Sequence, residues 1–112
     1  MLMYKTEVIP FTKDAEKRAQ LIEAKANEMD TQGFELINTV STYHGGVIAT
    51  FAHVEGKTTS FTYQSIHLGF ASSAEKRAML IDNKANEMEA QGYTLVTVAA
   101  THHGGAILTF RK

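Results

Sequence analysis

Hydrophobic residues recur along this chain with two periods, three to four residues in some stretches and two in others. The first period is typical of an amphipathic helix and the second of a strand. From position 15 onward, apolar residues follow a four-three-four-three spacing, which predicts one helix stripe made of Ala15, Ala19, Ile22, Ala26 and Met29. Asp14 is the predicted N-cap, and Gly33 is the predicted residue that ends the helix.

The helical pattern occurs twice, 59 positions apart. Ala15–Gly33 reads AEKRAQLIEAKANEMDTQG, and Ala74–Gly92 reads AEKRAMLIDNKANEMEAQG. Between Asp14–His53 and Ser73–Lys112, 22 of 40 positions are identical. We therefore expect a second helix, capped by Ser73, and expect both apolar stripes to pack against a sheet. The second stripe consists of Ala74, Ala78, Ile81, Ala85 and Met88.

Stretches with a period of two, or rich in β-branched and aromatic residues, predict strands around each helix. The predicted strands are Met3–Phe11, Phe34–Tyr43, Val47–His53, Thr58–Phe70, Tyr93–His102 and Ala106–Arg111. In the second of these strands, Phe34, Leu36 and Val40 are expected to face the same side. Gly45-Gly46 and Gly104-Gly105 predict type I′ hairpin turns, which need a positive φ at both residues.

Each repeat is therefore a β-α-β-β unit, and the fold class is α+β. A right-handed crossover makes the first two strands of a unit parallel, with the third lying antiparallel between them. The units span residues 1–54 and 58–112. Because about 55 residues bury only a thin core, we expect both units to pack as one pseudo-twofold domain with mixed sheets and two helices. The sheets either merge into one or curl into a barrel.

Composition narrows the classes of function. Eleven basic and twelve acidic residues give a net charge of −1, which offers no general attraction to nucleic acid or to an anionic membrane. The chain has no cysteine, which excludes disulfide and thiolate chemistry. No apolar run approaches the length of a membrane span, and the start lacks the apolar core of a signal peptide. We expect a cytoplasmic protein.

A family resemblance lies at the junction between each helix and the next strand. Gln32-Gly33-Phe34-Glu35-Leu36-Ile37 and Gln91-Gly92-Tyr93-Thr94-Leu95-Val96 share the pattern Gly-aromatic-x-Leu-aliphatic. With Tyr4-Lys5 near the start and a strand ending at Phe51, the chain resembles the short bacterial and phage domains of the domain-of-unknown-function family numbered 4177. The resemblance covers nearly the whole chain, once per repeat. That family usually carries Trp after the glycine, and the resemblance implies no activity.

The candidate ligand-binding residues lie at the two hairpin tips. Glycines let a ligand approach the backbone, successive N–H groups can form an anion-binding nest, and an imidazole can donate to a phosphate or carboxylate. The alternative is a hairpin tip that simply needs two glycines. These candidates are Tyr43, His44, Gly45, Gly46, His102, His103, Gly104 and Gly105. No metal site is predicted, because adjacent residues on a strand point to opposite faces and no cysteine or nearby carboxylate completes a ligand set.

The helix flanks carry two further signals. Arg18 and Lys25, with their repeats Arg77 and Lys84, either grip an anion or extend beside the core with their heads in water. Acidic residues three positions after each lysine, Glu28 and Glu87, favour the second interpretation.

Leu21 and Leu80 are the predicted interface residues. Both lie roughly 120° from the stripe centre, where a lone surface helix would be polar. They are expected to contact the other helix or another chain, which predicts a homo-oligomer.

Together, these patterns predict a non-catalytic protein that binds or sequesters a small anionic ligand such as a nucleotide, without a cofactor. The alternative is a structural module that assembles with itself or a partner through its sheet edges and Leu21 and Leu80. A third class, an enzyme using His44 or His103 as acid or base, shows no second titratable partner in the sequence.

Overall fold

A computed structural model describes residues 3–42, 45–101 and 104–112 of the chain. The elements follow the order β-α-β-β twice, which confirms the two repeated units of an α+β fold. They are β1 Met3–Ile9, α1 Ala15–Asp30, β2 Phe34–Ser41, β3 Val47–His53, β4 Tyr63–Leu68, α2 Ala74–Glu89, β5 Thr94–Ala100 and β6 Ala106–Arg111. Within these residues, neither helix has the length and apolar character that crossing a membrane requires.

The six strands form two separate three-stranded sheets, ordered β1-β3-β2 and β4-β6-β5. Every hydrogen-bonded strand pair is antiparallel, so the first two strands of each unit run parallel with the third between them, as predicted. The sheets are therefore antiparallel rather than mixed. The sheets do not merge; their edge strands β2 and β5 meet through side chains. The N–H of Thr39 donates to Oγ1 of Thr97 at 3.1 Å, and the hydroxyl of Ser41 donates to the carbonyl of Ala100.

The alternation expected along β2 breaks at its centre. Phe34 and Leu36 are buried, but Val40, predicted to share their face, is 53% exposed, whereas Thr39 is buried. The register of β2 against β3 shifts between Leu36 and Asn38, and such a bulge changes the face on which later residues lie. β5 carries the same shift at the equivalent position. The bulges turn Thr39 and Thr97 toward the contact between the sheets.

Helix α1 contacts both sheets. Its predicted stripe is confirmed from the second member onward, since Ala19, Ile22, Ala26 and Met29 are each at most 2% exposed, and Ala15 at the start is half-buried. One end of the stripe packs in a cluster that also contains Phe34, Leu36, Ala49, Phe51 and Tyr63. The other end packs with Ile9, Val47 and Ile107. Tyr63 and Ile107 belong to the second unit, so α1 is enclosed from two sides.

Among the described residues, helix α2 packs chiefly on its own sheet, and the prediction of a fully packed stripe is wrong there. Met88 is buried against Ala106, Leu108 and Phe110, whereas Ile81 and Ala85 are half-buried and Ala78 is exposed. The two helices differ in burial because they differ in how many sheets pack against them. Within one chain, α1 has a second unit packed on its outer side, and α2 has none.

The ends of the helices follow the sequence signals. The carboxylate of Asp14 accepts the N–H of Glu16 at 2.9 Å, and the hydroxyl of Ser73 accepts the N–H of Lys76 at 3.1 Å. Gly33 and Gly92, the predicted terminating residues, have φ values of 88° and 92°. The N-cap predictions are therefore confirmed in both repeats, whereas each glycine lies two residues after its C-cap, Thr31 or Ala90, and so at C″ rather than at the predicted C′.

Candidate functional site

Described residues of both hairpins lie near the start of α1, around Arg18. A cleft of about 140 Å³ is lined by Arg18, by Gly45 and Gly46 of the first hairpin, and by Thr101 of the second. A neighbouring cleft of about 250 Å³ is lined by Arg18, Thr101 and Gly105, together with Lys13 and His67. We call these two adjacent spaces the Arg18 cleft. Repeat-related glycines from both hairpins therefore lie in one region.

Four of the predicted ligand-binding residues, Tyr43, His44, His102 and His103, lie outside the described residues. Their role stays a prediction. Gly45, Gly46 and Gly105 line the Arg18 cleft.

The predicted type I′ turns are wrong, because one glycine of each pair has a positive φ rather than both. Gly45 and Gly104 have φ values of 85° and 84°. At Gly46 and Gly105, glycine is required because a side chain would collide with neighbouring atoms. A Cβ on Gly46 would lie 2.7 Å from Oγ1 of Thr42, and one on Gly105 would lie 2.6 Å from the carbonyl oxygen of Leu68. Close backbone approach therefore requires the second glycine of each hairpin.

Arg18 is buried, with 5% of its surface exposed. Its Nη2 donates to the carbonyl of Thr12 at 2.6 Å, and its Nε has no hydrogen-bond partner among the described residues. The interpretation that placed its head in water is wrong, because Ala100 and Thr101 of the second unit line the same cleft. A buried donor without an acceptor is costly, which makes Arg18 the candidate anion-binding residue of the cleft.

The repeat-related Arg77 has a different environment. It is half-buried, and its Nε donates to the carbonyl of Gly104 at 2.8 Å. The same residue in the same sequence context is thus satisfied by its own hairpin in the second unit. Nε of Arg18 lacks such a partner, a difference that the nearly identical local sequences do not indicate.

The remaining groups around the Arg18 cleft supply both charge and hydrogen-bond donors. Lys13 and His67 add basic groups and Thr101 adds a hydroxyl, whereas the hydroxyl of Ser41 already donates to the carbonyl of Ala100. Nδ1 of His67 lies 3.3 Å from a carboxylate oxygen of Glu16, which orients the imidazole. This set of groups is suited to holding a phosphate or a carboxylate.

An ionic cluster that the sequence did not predict joins the two units at Lys57. Nζ of Lys57 is 2.9 Å from Oε2 of Glu35 and 3.1 Å from Oδ1 of Asp30, and it lies 4.4 Å from the centre of the Phe61 ring. Arg111 stacks on the same ring at 4.2 Å. Burial by itself would lower the pKa of Lys57, but the two carboxylates outweigh it and raise that pKa. Its charges are mutually paired, so the cluster is structural.

The surface pairs on the helices are confirmed. Nζ of Lys25 lies 3.3 Å from a carboxylate oxygen of Glu28, and Nζ of Lys84 lies 2.6 Å from one of Glu87.

The two predicted interface leucines are exposed within a single chain. Leu21 is 38% exposed and Leu80 is 42% exposed, so neither is buried by the other helix of the same chain. Their contact with a second chain stays a prediction.

Among residues 3–42, 45–101 and 104–112, no group of three histidine or acidic side chains is placed to hold a metal ion. Comparisons of the chain with protein-family models, with curated proteins and with solved structures give no significant match. The resemblance to the family numbered 4177 therefore stays a prediction.

Proposed function

We propose that this protein binds a small anionic ligand in the Arg18 cleft and holds it without a chemical step. The observation that carries the proposal is the buried guanidinium of Arg18, whose Nε has no partner among the described residues and which lines both parts of the cleft. Nε itself is enclosed by the protein, so a phosphate or carboxylate oxygen would satisfy that donor only after a local shift of the cleft wall. Charge-assisted hydrogen bonds of this kind are about twice as strong as neutral ones.

The surroundings of Arg18 support the same chemistry. Gly45, Gly46 and Gly105 bring the main chain of both hairpins to the cleft, while Lys13 and His67 add basic groups beside it. The adjoining volumes of about 140 and 250 Å³ are each below the usual range of about 300–1,000 Å³ for ligand sites and reach its lower end only when taken together. A mononucleotide or a smaller phosphorylated or carboxylated molecule fits this size.

Titration calorimetry with inorganic phosphate, nucleoside monophosphates and cyclic nucleotides tests the proposal. Arg18→Lys keeps the positive charge but removes Nε and the planar fork, so we expect affinity to fall about tenfold or more. Arg77→Lys is the matched control, because Nε of Arg77 is already bonded to Gly104. Its affinity should equal that of the wild type.

A second variant guards against misfolding of the first. Thr101→Val preserves shape and removes a hydroxyl that lines both parts of the cleft, so binding should weaken while the melting temperature stays close to that of the wild type. Wild-type protein that binds none of these anions, or Arg18→Lys that binds them unchanged, would refute the proposal.

A further inference from the structure

Strand β4 lies at the edge of its sheet, and side chains of α1 pair with its outward main-chain groups. Oδ1 of Asn27 accepts the N–H of Tyr63 at 2.8 Å, and Nδ2 of Asn27 donates to the carbonyl of Tyr63 at 3.3 Å. A carboxylate oxygen of Glu23 accepts the N–H of Ser65 at 2.8 Å. The helix of the first unit thus covers the edge strand of the second, which removes an exposed sheet edge.

Tyr63 anchors this contact. Its side chain is 1% exposed and packs in the cluster that contains Ala26 and Met29 of α1. Its hydroxyl accepts the N–H of Leu36 in β2 at 3.1 Å. One aromatic side chain therefore joins β4 to both the helix and the sheet of the other unit.

Each participant has a chemically similar partner 59 positions away in the repeat. The pairs are Glu23 and Asp82, Asn27 and Asn86, Leu36 and Leu95, Tyr4 and Tyr63, and Thr6 and Ser65. The strand register repeats as well, since Tyr4 faces Ala52 across β1 and β3 just as Tyr63 faces Arg111 across β4 and β6. The outward N–H and carbonyl groups of β1 are therefore those of Tyr4 and Thr6.

The second version of this contact is not made within one chain. Tyr4 is 60% exposed where Tyr63 is 1% exposed, and Leu95 is 37% exposed where Leu36 is 3% exposed. Asp82 and Asn86 are exposed, and their side chains make no hydrogen bond within the described part of the chain. Strand β1 lies at the outer edge of its sheet. The α2 face and the β1 edge are therefore both present, and neither is covered by the other within the chain.

We propose that a second copy of this chain completes the contact, with α2 of one copy covering the β1 edge of another. The Asn86 side chain accepts the N–H of the second copy's Tyr4 and donates to its carbonyl. The Asp82 carboxylate accepts the N–H of that copy's Thr6. The Tyr4 ring lies beneath α2, with its hydroxyl at the N–H of Leu95. Because the edge and the helix face match in residue type and register, a copy of this chain is the occupant that both surfaces fit.

The proposed interface joins two different surfaces, so each copy offers one helix face and one strand edge. An assembly built from this contact closes when the β1 edge of the last copy meets α2 of the first copy. The smallest closed assembly is a dimer in which each copy's α2 covers the other's β1. The interface is independent of the Arg18 cleft, since Tyr4, Asp82 and Asn86 are not among the residues that line it.

Sedimentation analysis over a range of concentrations gives the first test. Wild-type protein should self-associate, and Asn86→Ala should weaken the association about tenfold or more, because it removes two hydrogen bonds from each contact. Asn86 is exposed in the single chain, so its replacement leaves the fold intact. Asn83→Ala is the matched control on the same helix. Its repeat equivalent, Ala24, is exposed, and association should match the wild type.

Cross-linking tests the geometry directly, because the chain contains no cysteine of its own. Val8 and Glu75 are the repeat equivalents of His67 and Glu16. In the contact between α1 and β4, Nδ1 of His67 lies 3.3 Å from Oε1 of Glu16. Separate preparations of Val8→Cys and Glu75→Cys, mixed and treated with a short bifunctional maleimide, should give a two-chain product. Val8→Cys mixed with Glu87→Cys should give little, because Glu87 lies on another side of α2.

Two results would overturn the proposal. One is a wild-type chain that stays monomeric at millimolar concentration. The other is association that survives Asn86→Ala and Tyr4→Ala together, with equal cross-linking in the two cysteine mixtures.

Discussion

Tyr4 and Tyr63 occupy equivalent positions of the two repeats, yet the first is 60% exposed and the second is 1% exposed. The difference arises outside the local sequence, because each side chain lies on an edge strand with the same register against its neighbour. Tyr63 has the helix of the other unit above it, and Tyr4 does not. Repeated sequence therefore produces repeated elements, while burial depends on what packs next to them.

The tyrosine pair gives the first prediction about stability. Tyr63→Ala should lower the free energy of unfolding by about 3–5 kcal/mol, the usual cost of removing a buried aromatic side chain. Tyr4→Ala, measured in dilute monomer, is its matched control and should change that free energy by less than about 0.5 kcal/mol. Urea unfolding followed by circular dichroism measures both. Equal losses would contradict the difference in burial.

The two helices should respond differently to the same substitution. Ile22 is 1% exposed and packs with residues of both sheets, so Ile22→Ala should cost about 2–5 kcal/mol. Ile81, its equivalent in α2, is half-buried against one sheet. Ile81→Ala should therefore cost clearly less in the same denaturant titration. A larger loss at Ile81 than at Ile22 would show that α1 is not the more enclosed helix.

Lys57 should make stability depend on alkaline pH. The pKa of Lys57 is raised above its ordinary value of 10.5, so the folded chain holds this proton more tightly than the unfolded chain does. Its contribution is complete below the ordinary value and is lost as pH rises through the raised one. Thermal unfolding between neutral and strongly alkaline pH should show this loss in the wild type.

Removing the Lys57 side chain tests the same cluster at neutral pH. Lys57→Gln leaves Asp30 and Glu35 without their partner, and breaking a buried pair in this way costs roughly 3–5 kcal/mol. Lys84→Gln removes a surface pair with Glu87 and should cost at most about 1 kcal/mol. In Lys57→Gln, the alkaline loss should also be smaller than in the wild type. An unchanged alkaline profile would assign that loss to other groups.

The hairpin glycines give a prediction based on space. A Cβ on Gly105 would lie 2.6 Å from the main-chain oxygen of Leu68, which cannot move aside as a flexible side chain can. Gly105→Ala should therefore cost about 1–3 kcal/mol, as overpacking usually does. Gly69→Ala is the control, because nothing lies within 4 Å of the added atom and no positive φ strains it. Its melting temperature should stay near that of the wild type.

The sequence was sufficient for features that depend on neighbours along the chain. The spacing of Ala19, Ile22, Ala26 and Met29 gave α1 and its buried face, and Asp14 and Ser73 gave the helix starts. The 59-residue repeat gave the order of elements. Each of these follows from helix geometry or from the hydrogen-bonding needs of a helix end, both of which are local.

Features that depend on packing between units were not predictable in the same way. A bulge in β2 turned Val40 outward and Thr39 inward, and one extra residue in a strand leaves no mark on composition. Arg18 is buried and Arg77 half-buried although their sequence contexts are nearly identical. The Lys57 cluster joins residues from α1, β2 and the segment before β4. None of these contacts has a spacing that a single repeat could reveal.

The position of α1 between the two sheets has a consequence for cooperativity. Neither sheet can separate from α1 without exposing apolar side chains such as Ile22 and Met29, which are at most 2% exposed. A unit that lost its partner would therefore lose stability itself, and partly unfolded forms with one intact repeat would be scarce. We expect a single calorimetric transition, with the van't Hoff enthalpy equal to the measured enthalpy, so that two copies of one sequence melt as one body.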